Sequence, residues 1–151
     1  MCKTNAQESK RNAEDKNVMT VAFAASYIPE GTQQDNINKG HLVPGIGIDY
    51  FRKISERFDL GTMMDIELAT YIIPRKEDLI RDKAFVVTII GSYMINDNWG
   101  VFLGPGYELE KHKSFPIFRV GTEYLIRYNS AWFIPVGFFY DAKDGYDTYS
   151  L

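Results

Sequence analysis

Pro116-Ile117-Phe118-Arg119-Val120-Gly121-Thr122-Glu123-Tyr124-Leu125-Ile126-Arg127-Tyr128 alternates between two kinds of side chain. Phe118, Val120, Thr122, Tyr124, Ile126 and Tyr128 share one side, and Ile117, Arg119, Gly121, Glu123, Leu125 and Arg127 share the other. Successive residues of a strand point to opposite faces, so this spacing predicts a strand with one apolar face and one that mixes glycine with charge.

The same pattern spreads outward in both directions. Trp99, Val101, Leu103, Pro105, Tyr107 and Leu109 oppose Gly100, Phe102, Gly104, Gly106, Glu108 and Glu110. Leu42, Pro44, Ile46, Ile48 and Tyr50 oppose Val43, Gly45, Gly47 and Asp49, and Leu60, Met64, Ile66 and Leu68 oppose Asp59, Gly61, Asp65 and Glu67. Trp132, Ile134, Val136, Phe138 and Tyr140 oppose Phe133, Pro135, Gly137 and Asp141. The segment 83–95 is apolar on both sides and its orientation stays open.

Strands are expected at 18–28, 41–51, 57–73, 83–95, 99–110, 116–128, 131–141 and 145–151, with no helical periodicity. The connections alternate in length. Pro29–Gly40 and Pro74–Asp82 are long and polar, and Lys111–Phe115 is of medium length. Arg52–Arg57, Asn96-Asp97-Asn98 and the two-residue Asn129-Ser130 are short, and Ala142–Asp144 closes the series. Long-short alternation suits an all-β, eight-stranded antiparallel up-and-down (meander) barrel spanning a membrane, with long loops on one side and tight turns on the other.

Period two does not say which face is inside. In a soluble calyx that binds a hydrophobic ligand, the apolar face would line the cavity. The opposite arrangement is favoured by glycines at 45, 47, 61, 100, 104, 106, 121 and 137, all on the charged face. Small interior residues leave room for large neighbours and ease tight curvature. Aromatics on the apolar face, Tyr50, Trp99, Tyr107, Tyr128, Trp132 and Tyr140, fall near strand ends, where a membrane barrel carries its girdles.

The bulk composition fits one domain, residues 18–151, after a flexible polar segment 1–17. The chain has 151 residues, a net charge of −3 and 15% aromatics, so a basic nucleic-acid footprint is absent. The single Cys2 excludes an internal disulfide and a cysteine-based zinc site. Uncharged apolar runs such as 84–96 and 128–140 fall short of the ~20 residues a spanning helix needs, so a membrane-spanning form has to be a closed barrel. No apolar core precedes Asn5-Ala6-Gln7, which resembles the end of a signal peptide and equally fits an ordinary polar tail.

Residues 8–151 resemble the small outer-membrane barrels of Gram-negative cells, the opacity-type or OmpX-like proteins. The resemblance rests on the alternating segments, on Gly104-Pro105-Gly106-Tyr107-Glu108, on Val120-Gly121-Thr122-Glu123-Tyr124, and on Gly145–Leu151 as the start of a closing strand. It implies location in the cell outer membrane and a structural or surface-interaction role. It implies contact with the lipid bilayer and lipopolysaccharide, dependence on the assembly machinery, a monomeric state and no cofactor. Such barrels usually end on a strand with a C-terminal aromatic. Here seven residues of the eighth strand are written, against the ~9–11 that spanning needs, so the last strand is expected to be truncated.

Two candidate sites follow. Asp49, Asp65, Glu67, Glu108, Arg119, Glu123 and Arg127 would share the interior as a charge network. With eight strands the interior is only wide enough for side chains, so ion pairs would plug it and leave no wide pore. The alternative is an ion or proton path. Separately, His112-Lys113-Ser114 with Glu123 supplies the parts of a hydrolase triad, and resembles the His-x-Ser element of lipid A deacylases. Phe115 stands where that family has Asn, and a Lys-His-Lys loop is more simply a polar hairpin. His41 and His112 alone make no metal site. Gly45-Ile46-Gly47 and Gly104-Pro105-Gly106 are strand glycines, since no helix follows either as a phosphate loop requires.

Overall fold

A computed structural model describes residues 16–32, 40–74, 78–111, 113–129, 132–144 and 146–151. The segment 1–15, His112 and Ser130 lie outside the described residues, as do parts of the loops 29–40 and 74–82. The strands are β1 (Asn17–Ile28), β2 (His41–Lys53), β3 (Phe58–Glu67), β4 (Thr70–Ile73), β5 (Leu79–Asp82), β6 (Phe85–Met94), β7 (Trp99–Leu109), β8 (Phe115–Arg127), β9 (Phe133–Lys143) and β10 (Tyr146–Ser150). Eight of them close a barrel in the order β1-β10-β9-β8-β7-β6-β3-β2, every neighbouring pair antiparallel, and β4 and β5 form a separate hairpin.

Side-chain amides and hydroxyls close the short turns, which gather at one end. The Asn96 side-chain oxygen accepts from the amides of Asn98 at 3.0 Å and Trp99 at 2.8 Å. Ser55 Oγ accepts from the Phe58 amide at 3.1 Å, and Asn129 Oδ1 from the Trp132 amide at 2.9 Å. Asn and Ser favour such turns because their side chains replace a backbone partner. The β8–β9 turn is one residue longer than the two-residue turn expected, because it closes through a Tyr128 N–H to Trp132 carbonyl bond of 3.1 Å.

The expected third strand, 57–73, is two strands. After Glu67 bonds to the Ala84 carbonyl at 2.9 Å and Leu68 to that of Pro44 at 2.8 Å, the chain leaves the barrel wall. It then pairs with itself, Thr70–Ile73 against Leu79–Asp82, so β5 occupies part of the expected loop 74–82. An isolated bridge, Thr32 to Ile72, ties this hairpin to the β1–β2 connection. The hairpin folds over the long-loop end, where Tyr71 and Ile73 bury against Ile28, Val43 and Tyr146. β9 also runs further than expected, through Lys143, into the assumed turn.

The apolar face lies outside and the charged face inside. Phe23, Ile48, Ile89, Leu103, Val120 and Phe138 are exposed, while Asp49, Glu67, Glu108, Arg119 and Asp141 are buried. β6 takes its orientation from its few polar residues: Thr88 and Ser92 point inward with Val86, Ile90 and Met94. The interior glycines make room for large neighbours. The Phe102 ring lies where a Gly121 side chain would stand, and Gly104 brings β7 against the Ile89 carbonyl.

Candidate functional site: the charged barrel interior

The interior is organised in three levels. At the middle, Arg119 of β8 donates from Nε to Asp141 Oδ1 at 2.7 Å and from Nη2 to Asp141 Oδ2 at 2.9 Å. Its Nη1 donates to Asp65 Oδ2 across the lumen at 2.6 Å. The guanidinium stacks over Phe139, 4.1 Å from the ring centre. A planar guanidinium can satisfy two carboxylates at once, which compensates for the loss of hydration that a buried ion suffers.

At the long-loop end a second network joins side chains of β3, β4, β5, β7, β9 and β10. Lys143 Nζ lies 2.6 Å from Glu108 and 3.2 Å from Glu67. The Tyr146 hydroxyl donates to both Glu108 oxygens, at 2.6 and 2.8 Å, and the Tyr71 hydroxyl to Glu67 at 2.6 Å. Burial, reinforced by the Glu67 carboxylate, pushes the Tyr71 hydroxyl far above its ordinary range and keeps it a donor. Arg81 descends from the hairpin, wholly buried, and pairs with Glu108 and Glu110. It also donates to the Lys113 carbonyl at 2.5 Å and lies over the Phe115 ring. Arg81 and Phe115 thereby lie buried against each other at this end.

At the short-turn end the interior is hollow. A cavity of about 320 Å3 is lined by Asp49, Asp59, Asp65 and Glu123 together with apolar groups such as Met63 and Phe102. Asp49 is buried, and its Oδ1 has no hydrogen-bond partner among the described residues.

Of the residues assigned to the lumen from sequence, Asp49, Asp65, Glu67, Glu108, Arg119 and Glu123 face it. Arg127 does not belong to the network. It has the inward phase of β8 but lies at the exposed rim, where its guanidinium donates to the Asp97 carbonyl at 2.7 and 3.3 Å. Sequence reading placed Asp141 on the face opposite Tyr140 but left it out of the network, and it missed Arg81, Lys143, Tyr71 and Tyr146; these five supply most of the partners. Asp141 and Lys143 continue the inward phase of β9, a signal that was available. Arg81 carried no such signal, because its burial depends on where the hairpin folds.

The aromatic residues Tyr50, Trp99, Tyr107, Tyr128 and Trp132 are exposed on the outer surface. Trp99 packs edge-on against Tyr124 at 5.8 Å near the short turns, and Tyr140 packs against Tyr149 at 5.2 Å toward the other end. The triad candidates are dispersed. His112 lies outside the described residues, Ser114 precedes β8 at the long-loop end, and Glu123 sits about 30 Å along the strand from Ser114. Among the described residues no cluster of His, Cys, Asp or Glu could hold a metal ion.

Comparison with family models, with curated proteins and with solved structures finds no match to this chain.

Proposed function

We propose that this chain is an integral outer-membrane β-barrel of a Gram-negative cell. It has a structural or surface-interaction role, and its lumen is plugged by charged side chains. The observation that carries the reading is the inversion of the usual soluble pattern. Side chains such as Phe23, Ile89, Leu103 and Val136 stand exposed around the barrel while Arg81, Glu108, Arg119 and Asp141 are buried within it. Large contiguous apolar surface on a soluble monomer is rare and marks a contact, and a continuous outer belt suits lipid.

The closed wall supports the same reading, because a barrel satisfies its backbone groups without water. Ion pairs cross the lumen at the middle and long-loop levels, which supports a plug over a pore. A soluble calyx needs the apolar face inside, and a lipid hydrolase needs Ser114 and Glu123 close together, so neither gains support from this geometry. Contacts with other molecules fall to the loops 29–40 and 74–82. The bilayer, lipopolysaccharide and the barrel-assembly machinery are the partners this role entails.

An epitope inserted after Asp35 tests the reading in a Gram-negative host that exports the chain. Antibody labelling of intact cells is the expected result. Labelling only after the outer membrane is permeabilised would contradict it.

A further inference from the structure

The two ends of the barrel differ in charge. Among the described residues the short-turn end carries the cations Lys16, Arg52, Lys53, Arg57 and Arg127, and its acids are Glu56, Asp59 and Asp97. The long-loop end exposes Glu30, Asp78, Asp82 and Asp144 beside Lys83, Lys111 and Lys113, and its buried Arg81 and Lys143 are paired with carboxylates. The short-turn cations, Arg127 apart, gather around the β2–β3 turn and the start of β1. There the Lys53 N–H donates to the Lys16 carbonyl at 2.8 Å, which extends the β1–β2 ladder by one step and sets the two lysines opposite each other. Like charges directly opposite destabilise a strand pair. Asp59, the partner of Lys53 on β3, offsets one of them, and Glu56 lies in the turn before Arg57.

Arg52 has the opposite phase and faces outward. It follows Tyr50 by one step on the outer face of β2, is exposed, and forms no ion pair among the described residues. Its register partners are Asn17 on β1 and Leu60 on β3. The Tyr50 hydroxyl donates to Asn17 Oδ1 at 2.9 Å. That bond fixes the amide and leaves the Asn17 Nδ2 hydrogens for an outside acceptor. A guanidinium and an amide donor thus stand side by side just beyond a girdle tyrosine, with the exposed Leu60 and Ile48 on the belt side. One phosphodiester can accept from both donors through its two free oxygens.

We propose that this patch binds an anionic phospholipid in the leaflet at the short-turn end. Arg52 and Asn17 hold the phosphate, Tyr50 lies at the headgroup level, and the acyl chains run down the belt past Leu60 and Ile48. Lys16, Lys53 and Arg57 select a net negative headgroup over a zwitterionic one, because they repel the ammonium that the latter carries. The outward phase of Arg52 and Asn17, beside the apolar belt, favours a lipid over an acidic protein docked across the barrel mouth. The inference rests on the membrane reading.

The test titrates the chain, folded in zwitterionic detergent micelles, with dioctanoyl phosphatidylglycerol or dioctanoyl phosphatidylcholine and follows amide NMR shifts. Saturable shifts at Asn17 and Arg52 are expected with the glycerol lipid, at an affinity about tenfold or more above that for the choline lipid. Arg52→Gln should reduce that preference about fivefold, the effect of one basic residue near an anionic surface. Arg52→Lys should retain part of it, and Lys111→Gln at the opposite rim should leave it unchanged. Equal affinity for the two lipids would overturn the proposal, as would an unchanged preference in folded Arg52→Gln. Equal shifts with free glycerol phosphate would also overturn it, by showing an anion site that reads no lipid. A chain that inserts into vesicles and resists carbonate extraction, yet shows no preference, loses the lipid site and keeps the membrane reading. A chain that enters no bilayer loses both.

Discussion

Arg119 and Asp141 face each other across the β8–β9 pair as register partners, joined by two parallel hydrogen bonds of 2.7 and 2.9 Å in the barrel interior. The turn sets this meeting. Because the hairpin closes between Tyr128 and Trp132, counting back along both strands brings Arg119 opposite Asp141, whereas a turn one residue shorter would bring it opposite Tyr140.

Arg119→Met should be strongly destabilising, by about 3–5 kcal/mol, because it strands Asp141 and Asp65 as unpaired buried carboxylates. Arg119→Lys should recover only part of the loss, since an ammonium cannot make the forked contact. Urea unfolding in micelles, followed by tryptophan fluorescence, measures both. Equal stability of the methionine variant and the parent chain would show that the central pair contributes nothing.

Arg81→Met should loosen the hairpin without opening the barrel. Glu108 keeps Lys143 and Tyr146 as partners, whereas β4 and β5 lose their buried anchor. Amide exchange should rise across Thr70–Ile73 and stay slow in β7 and β8. Uniformly faster exchange in both regions would mean that the hairpin and the barrel open together.

Gly104→Ala and Gly137→Ala separate two uses of interior glycine. A methyl at position 104 meets the backbone carbonyl of Ile89, which cannot swing aside, whereas at position 137 the nearest atoms stand 3.4 and 3.7 Å away. Gly104→Ala should cost about 1–3 kcal/mol in unfolding free energy. Gly137→Ala should stay within about 0.5 kcal/mol. The reverse order would contradict the packing described for β7.

Much of this architecture was legible locally. Alternation fixed the faces of β2, β3, β7, β8 and β9, and Asn96 and Asn129 marked turns because their side chains close them. The hairpin was not legible as a separate element. Thr70–Ile73 continues the apolar character of β3, and Leu68-Ala69 carries no Gly or Pro to announce the break. β6 resisted orientation because Thr88 and Ser92 are its only inward polar groups and neither is charged. The charge network was read in half. The acids of the alternating strands announced themselves by phase, but Arg81 reaches them only through the fold of the hairpin.

Val120→Lys tests whether the outer face meets lipid. A lysine there should lower the stability of the barrel in phospholipid vesicles by about 2–4 kcal/mol, and the same change at the rim, Tyr128→Lys, by about 0–1 kcal/mol. Reversible unfolding in vesicles distinguishes them. Equal and negligible costs would mean that Val120 faces water.

Fractionation of a Gram-negative host that exports the chain tests the central claim most directly. A membrane barrel should sediment with the outer membrane, resist carbonate extraction, and migrate differently on gels before and after heating. Recovery as a soluble monomer that needs no detergent would contradict it, and would leave the exposed belt of Phe23, Ile89 and Val136 to be explained by some other contact.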